Sequence, residues 1–594
     1  MTLFGTNHPF NLTAVPFSRK GAFLSIYENP GDGQLYFTHC RSEGVSILRP
    51  NLIRIAFMDG SVQLPFIYEA DEAKLTVRTP KGTAEFTYDG PQIIRMRLKG
   101  ISTRLFYEPE MHEGADIRAA NELEIGINFM GKLLFKGIAG GFTTTAKWNF
   151  REVRPFPFTI DIFPTGEGAA EAAVHEYDTS GLPLPTYRPF EEAEAETRAD
   201  FEAFAKAYPP VPEIWADDAR LAAWVVWMSA MGPRGSLKEP ALYMHKLLLV
   251  RTFVWHHGYA AMSMRGDARQ AWQYLLTFFQ FQDPKYGGLP DNASDKNQEN
   301  WVSTKPPIFG YALCNILDTF DLSSLTREDY QRAYDKLVPY RKWWFVHHDH
   351  AKKGFPSYYH VDESGYDEAS LFERGLPLMA PDLMAYMITL DEALAKLAEK
   401  LGKPEEARRW MAESKRTLAF LTEELWDGEQ FRAKVTKTGE LFKCGCAAQL
   451  QPIMLGKRLP KEIVRKIRDR VLDESEFLTE YGVASENKKS EQFRAMSFTR
   501  GPVIAPVNMQ IISGLYDAGE AEAARVIAIR YLRSLSRFGP VLGALPYRVD
   551  PNTWQAMQPY DKNPIGNPMT AWAASIFLAI AGRFFPDYPQ KNIV

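Results

Sequence analysis

The first 180 or so residues alternate between apolar and polar positions in short runs. "QLYFTHC", "NLIRIAFMDG", "KLTVRT", "AEFTYDG", "QIIRMRLKG", "TRLFYEP" and "KLLFKGI" are period-two or β-branched stretches punctuated by Gly, Pro, Asn and Asp. This spacing predicts an antiparallel β-sandwich over residues 1–180, with "FPFTIDIFPTG" as its last strands. A Pro-rich run, "DTSGLPLPTYRP", then reads as a linker. The charged segment "FEEAEAETRADFEAFAKAY" (190–208) reads as a helix that crosses to the next unit, so residues 181–212 form a joining segment. From residue 213 onward the period becomes helical, as in "DDARLAAWVVWMSAM", "PDLMAYMITLDEALAKLAEKLG", "PEEARRWMAESKRTLAFLTEELW" and "MTAWAASIFLAIAGRFF". The pattern predicts a mainly α unit over 213–594, sized for a barrel of paired helices. An α-solenoid is the rival arrangement, but no fixed-period repeat is visible and the loops differ in length and chemistry. Unequal loops rich in polar and aromatic residues suit one site at one end of a barrel.

Composition narrows the picture. The chain of 594 residues is 45% hydrophobic and 24% charged, which is ordinary globular composition. Aromatic residues make up 13%, which suits both large cores and sugar-binding clefts, where flat rings stack on the apolar faces of pyranoses. The net charge of −4, from 69 basic and 73 acidic residues without long runs of either sign, argues against a nucleic-acid partner. Four cysteines do not make a disulfide scaffold, and Cys444 and Cys446 form a C-x-C without the second pair that zinc would require. Neither a metal nor an organic cofactor is expected. The N-terminus lacks a basic stretch followed by an apolar one, and no run approaches the length of a membrane span. These features point to a cytoplasmic protein with no membrane partner. A mature form that has lost a signal stays open, and the oligomeric state is not encoded in any pattern.

Four loop segments carry the chemistry: "RTFVWHHGYAAMSM" (251–264), "GGLPDNASDKNQENWVSTKPPIFGYAL" (287–313), "HVDESGYDEASLF" (360–372), and "YGVASENKKSEQFRAMSFTRGPVIAPVNMQ" (481–510) with "GALPYRVDPNTW" after it (543–554). Each alone has a plain reading. Trp255 beside His256 and His257 can be packing at a helix start, and adjacent histidines diverge on a helix and make a poor metal pair. The acidic loop, with Asp362, Glu363, Asp367 and Glu368, can be a solvated turn. Their occurrence together, in order, along one helical unit is what raises them above that.

In that order they resemble a known family. "ESGYDEASLF" is similar to the "ESGWD-S-R-F" signature of trehalases and the "G-DNSP" signature of processing α-glucosidases. "FVWHHGYAAM" resembles their "fvWDhGf", the loop ending "STKPP" their "QPP" loop, "TRGPVIAPVNMQIISGLYDAG" their "wrGPvW-p-N--l--GL---G", and "MTAWAASIFL" their closing "GWtaA". The match runs over most of residues 250–580. The resemblance implies an (α/α)6 toroid barrel behind the β-sandwich, and an inverting glycoside hydrolase of the family 37/63 type acting on a small α-linked glycoside or oligosaccharide.

The resemblance makes Asp367 the general acid. The chemistry agrees, because a glycosidic oxygen leaves well only when protonated, and a carboxyl stays protonated when burial or like charges raise its pKa. Asp362, Glu363 and Glu368 are the possible tuners. Inversion also needs a second carboxylate. At the family's usual place for it, "YRVDPNTW", the aligned residue is Tyr547, with Asp550 as the motif's structural acid. Glu486 is the preferred substitute, Glu491 a lesser one, and Tyr547 a minority nucleophile or water-positioner. Trp255, His256, His257, Asp291, Lys305, Tyr366, Glu368, Arg500 and Trp554 are expected to shape the sugar site. His256 stands where relatives have Asp, and Lys305 where they have an amide, which suggests a substrate with an acidic or unusual group. Two rivals remain. One is an α/α-barrel lyase or epimerase using His or Tyr bases, and the other is a carbohydrate-binding protein that has lost its base.

Overall fold

The computed structural model describes residues 11–43, 46–47, 49–166, 168–247, 249–296, 298–495, 497, 499–542, 548–549 and 570–585. An N-terminal region of antiparallel sheets is followed by a helical region. One sheet runs in the order Leu24–Asn29, Gln34–His39, Ile53–Asp59, Ser102–Tyr107, Phe158–Phe163 and Gly141–Thr144, and a second, eight-stranded sheet carries Ala170–Tyr177 near its centre. Period two in the sequence becomes two faces in space. Along Ser102–Tyr107 every second residue is buried, starting at Thr103, and Phe158–Phe163 alternates in register with it.

Helix α1 (Phe190–Ala205) lies against strand Thr83–Tyr88 and touches α2 (Ala216–Ser229), and so spans the two regions. It stops three residues before the expected end. Pro209 and Pro210 follow closely, and a residue before proline disfavours helical geometry. Thr197 of α1 donates to the Tyr88 carbonyl at 3.0 Å.

Ten more helices follow among the described residues: α3 (Val254–Ser263), α4 (Ala268–Thr277), α5 (Phe309–Thr319), α6 (Arg327–His347), α7 (Pro381–Lys400), α8 (Pro404–Glu423), α9 (Lys461–Leu472), α10 (Ala505–Asp517), α11 (Ala521–Leu542) and α12 (Ala571–Arg583). Their starts carry local signals. Thr326 and Asp329 form a capping box on α6, Asp267 caps α4, and Pro381 and Pro404 stand in the first turns of α7 and α8. Helix α3 is buried on every side and α7 and α12 almost so, whereas α6, α8 and α9 bury one stripe. The buried set forms a circuit of neighbours: α3 packs on α5, α5 on α7, α7 on the short helical segment Gln451–Arg458, that segment on α10, α10 on α12, and α12 back on α3. No described helix is long and apolar enough to cross a membrane.

Candidate functional site

A cavity of about 260 Å³ opens where several of these buried helices begin. Trp255 and His256 enter it from the first turn of α3 and Trp572 from the first turn of α12. Lys305 comes from the loop before α5, and Asp362, Gly365 and Asp367 from the loop before α7. Asp291, Asn292 and Asn300 come from a hairpin between α4 and α5, and Met244, Leu249 and Phe253 complete the wall. Leu249 holds a left-handed φ of 54°, an uncommon conformation for a branched side chain and a pocket of backbone strain in the cavity wall.

The loop that carries Asp367 is shaped by contacts from distant parts of the chain. Glu363 accepts from the Tyr359 amide at 2.7 Å and pairs with His348 at 2.9 Å, which folds Val361–Ser364 into a 3-10 turn. Gly365 ends the turn with φ of 73°, and a Cβ there would collide with the Trp255 ring. Glycine is required on both counts. Tyr366 is buried edge-on against Trp255, its hydroxyl bonded to Gln451, which in turn reaches Gln510 and Tyr386. That buried polar chain fixes the residue before Asp367.

Asp367 Oδ1 is buried and has no hydrogen-bond partner among the described residues, although it lines the cavity. Burial raises its carboxyl above the usual range; Lys305 opposes this, while Asp362 and Asp291 add to it. Lys305 lies 3.1 Å from Asp291 Oδ1 and donates to the Asp362 carbonyl at 3.2 Å. Burial works against its charge, but Asp291, Asp367 and Asp362 prevail and raise its pKa. Asp291 Oδ2 also accepts from Asn292 at 2.6 Å. His256 is neutral, because burial, then His257 and Lys305, push it well below the ordinary value. Its Nδ1 and the Asn292 Oδ1 are likewise buried without partners among the described residues. Three polar atoms in want of a partner around one cavity are what a polyhydroxylated ligand would satisfy.

The expected site residues divide by position. Trp255, His256, Asp291, Lys305 and Asp367 share the cavity. His257 faces away: its Nδ1 donates to the Tyr274 carbonyl at 2.8 Å, so its Nε2 accepts from Thr252 at 2.7 Å, and burial holds it down to about 4. Glu486 is buried beside the acid loop rather than in the cavity lining, with both oxygens accepting from Ser370 at 3.0 and 2.8 Å. Burial raises its carboxyl, against hydrogen bonds from Ser490 and Ser370. Arg500 clasps the same loop, donating to the Glu368 carbonyl at 2.5 Å and to Glu373 at 2.9 Å. Glu368 is exposed, its amide donating to Thr499. Tyr547, Asp550 and Trp554 lie outside the described residues.

Comparison with known proteins fixes the chemistry in broad terms. A family model, the mannosylglycerate hydrolase MGH1-like glycoside hydrolase domain, matches residues 250–540, the span that supplies most of the cavity. The chain is a glycoside hydrolase. Mannosylglycerate hydrolase MGH1 of Selaginella moellendorffii is 26% identical to this glycosidase over 423 residues, covering 66% of this chain and 75% of that protein. The GH63 mannosylglycerate hydrolase of Thermus thermophilus, solved with Tris and D-glycerate, shares the fold at a TM-score of 0.50 and 18% identity, over 61% of this chain and 98% of that one. A solved structure titled Sialidase aligns with 93% of this chain and 59% of its own at a TM-score of 0.50 and 12% identity.

Asn292, Asn300, Trp572, Phe253, Met244 and Leu249 line the cavity without having been singled out in the sequence, and Asp362 was read there only as a tuner. "NASDKNQEN" carries no pattern of its own. The asparagines meet only because the Asp291 amide donates to the Asn300 carbonyl at 2.8 Å and the Asn300 amide to the Asn292 carbonyl at 2.8 Å. Trp572 and Phe253, inside the quoted "MTAWAASIFL" and "FVWHHGYAAM", were the legible signals.

Proposed function

We propose that this glycosidase removes one sugar from a small α-linked glycoside by inversion, with Asp367 as the general acid. The observation that carries the reading is Asp367 itself: a carboxyl with a raised pKa and an unpartnered oxygen on the wall of a cavity sized for about one pyranose. Trp255 and Trp572 offer ring faces to the sugar, and Asp291, Asn292 and His256 offer acceptors and donors to its hydroxyls. The circuit of six buried helical segments, with α2, α4, α6, α8, α9 and α11 outside it, supports an (α/α)6 toroid.

Lys305 is already engaged by Asp291, so it does not by itself argue for an acidic substrate. That expectation rests on the relatives, whose names make an α-mannoside of a small hydroxy acid the first compound to assay. The second carboxylate is drawn from Glu486, Asp362 and Asp291. Glu486 would have to release Ser370 to meet a water, whereas Asp362 and Asp291 already face the cavity.

The test is proton NMR of the first sugar released, together with Asp367→Asn. Inversion delivers the β-anomer from an α-glycoside. The variant loses about 10²–10⁴-fold in kcat while retaining ligand binding. An α-anomer product, or full activity of the variant, overturns the assignment. Azide rescue of Glu486→Gln, Asp362→Asn and Asp291→Asn identifies the base, since only a base variant yields a glycosyl azide.

A further inference from the structure

We infer that Arg41, in the β-sheet region, is a positioning residue for the cavity in the helical region. This rests on the cavity being the glycosidase site. Asp291, Asn292 and Asn300 sit on one hairpin, and that hairpin is anchored four residues beyond Asp291, at the buried Asp295. Asp295 Oδ1 accepts from the Tyr243 hydroxyl at 2.9 Å, and its carbonyl accepts from the Ser236 amide at 2.8 Å. Its other oxygen, Oδ2, lies 3.2 Å from Nε of Arg41. Arg41 is held in turn by Asp178 and by the Phe129 carbonyl at 3.4 Å.

Asp178 is shared with Arg234 of the helical region, whose Nε donates to it at 2.6 Å. Arg234 also grips Glu176 at 2.8 and 2.6 Å, and Glu176 pairs with His39 at 3.0 Å. Two arginines and three carboxylates from both regions therefore make one network that ends at the substrate hairpin. Without Arg41, the buried Asp295 Oδ2 loses the guanidinium beside it, while Arg251, which also acts on Asp295, stays in place, and a buried charge that loses its nearest partner drives local rearrangement. The hairpin carries Asp295 and is the element on which the loss acts first. A shift of about 1 Å in groups that grip a substrate costs on the order of 10²-fold. Arg41 touches neither the cavity nor Asp367, so the loss falls on binding more than on the acid step.

The experiment uses the full chain with Arg41→Met, Arg41→Lys and Arg41→Met/Asp295→Asn. Hydrolysis of para-nitrophenyl α-mannoside and α-glucoside is followed alongside hydrogen–deuterium exchange of residues 288–304. Arg41→Met is expected to raise KM by about tenfold or more with a smaller change in kcat, and to speed exchange chiefly in that segment. Arg41→Lys and the double variant are expected to recover part of both. KM and segment exchange within about two-fold of wild type in Arg41→Met overturn the proposal. So does faster exchange spread evenly over the molecule, which marks a purely structural residue. If wild type cleaves neither glycoside, the assigned substrate class fails, while the exchange data still decide the role of Arg41.

Discussion

At Asp367 two influences of opposite sign meet. Burial, Asp362 and Asp291 hold the proton on, and Lys305 pulls it off. In the role proposed for it Asp367 works only while protonated, so the alkaline limb of kcat/KM against pH is expected to follow its pKa. Removing the cation raises that pKa further. Lys305→Met is therefore expected to move the alkaline limb to higher pH, and Asp362→Asn, by removing a like charge, to move it lower. Profiles of kcat/KM with a para-nitrophenyl α-glycoside check both, and shifts of the same sign in the two variants would sink the electrostatic account. His256 contributes no limb near neutrality, because it is held neutral well below its ordinary value. The residues legible in the sequence were those in distinctive loops: Trp255, His256, Asp291, Lys305 and Asp367 share the cavity. His257, Glu486 and Arg500 come from the same loops but serve neighbouring backbone and side chains. Sequence spacing places a residue in a loop. It does not determine which way the side chain turns, because that depends on partners far along the chain, such as Tyr274 for His257 and Ser370 for Glu486.

At the level of elements, the cavity is made by helix starts and the loops before them. Helix periods were readable where a helix buries one stripe, as α6, α8 and α9 do, or carries a local start signal, as α4, α6, α7 and α8 do. The short 3-10 turn Val361–Ser364 was not, because it depends on Glu363 meeting His348, fifteen residues earlier in sequence. Gly365 is where that turn meets α3. Its left-handed φ and the Trp255 ring, which occupies the space a methyl group would need, both forbid a side chain. Gly365→Ala is expected to cost about 1–3 kcal/mol of local strain, which the loop relieves by moving off Trp255. Asp367, the proposed acid, then leaves its place: kcat should fall by on the order of 10²-fold, with a melting temperature lowered by only a few degrees. Wild-type kcat in this variant would show that the packing of the loop on Trp255 does not set the acid's position.

For the molecule as a whole, two regions with different periods are joined by buried polar contacts as well as by α1. The change of period near residue 213 was plain in the sequence. The order in which the buried helices close on one another was not, since closure depends on contacts such as α12 against α3 that no local pattern encodes. The same holds for the joint between the regions. Lys246, fully buried, donates to Ser18 Oγ at 2.9 Å, the Arg19 carbonyl at 2.8 Å and the Ala22 carbonyl at 2.6 Å. Burial pushes its pKa down to about 7, and three acceptors from the N-terminal region fill its donor sites. A methionine of similar volume would leave those acceptors buried and unmet, at a cost of about 1–3 kcal/mol for an orphaned group. Lys246→Met is therefore expected to lower the melting temperature by several degrees and to loosen the N-terminal segment first. Exchange should rise over residues 17–26 before it rises in α7 or α10. An unchanged melting curve, or exchange that rises first in the buried helices, would mean that the regions are held together by apolar contact alone.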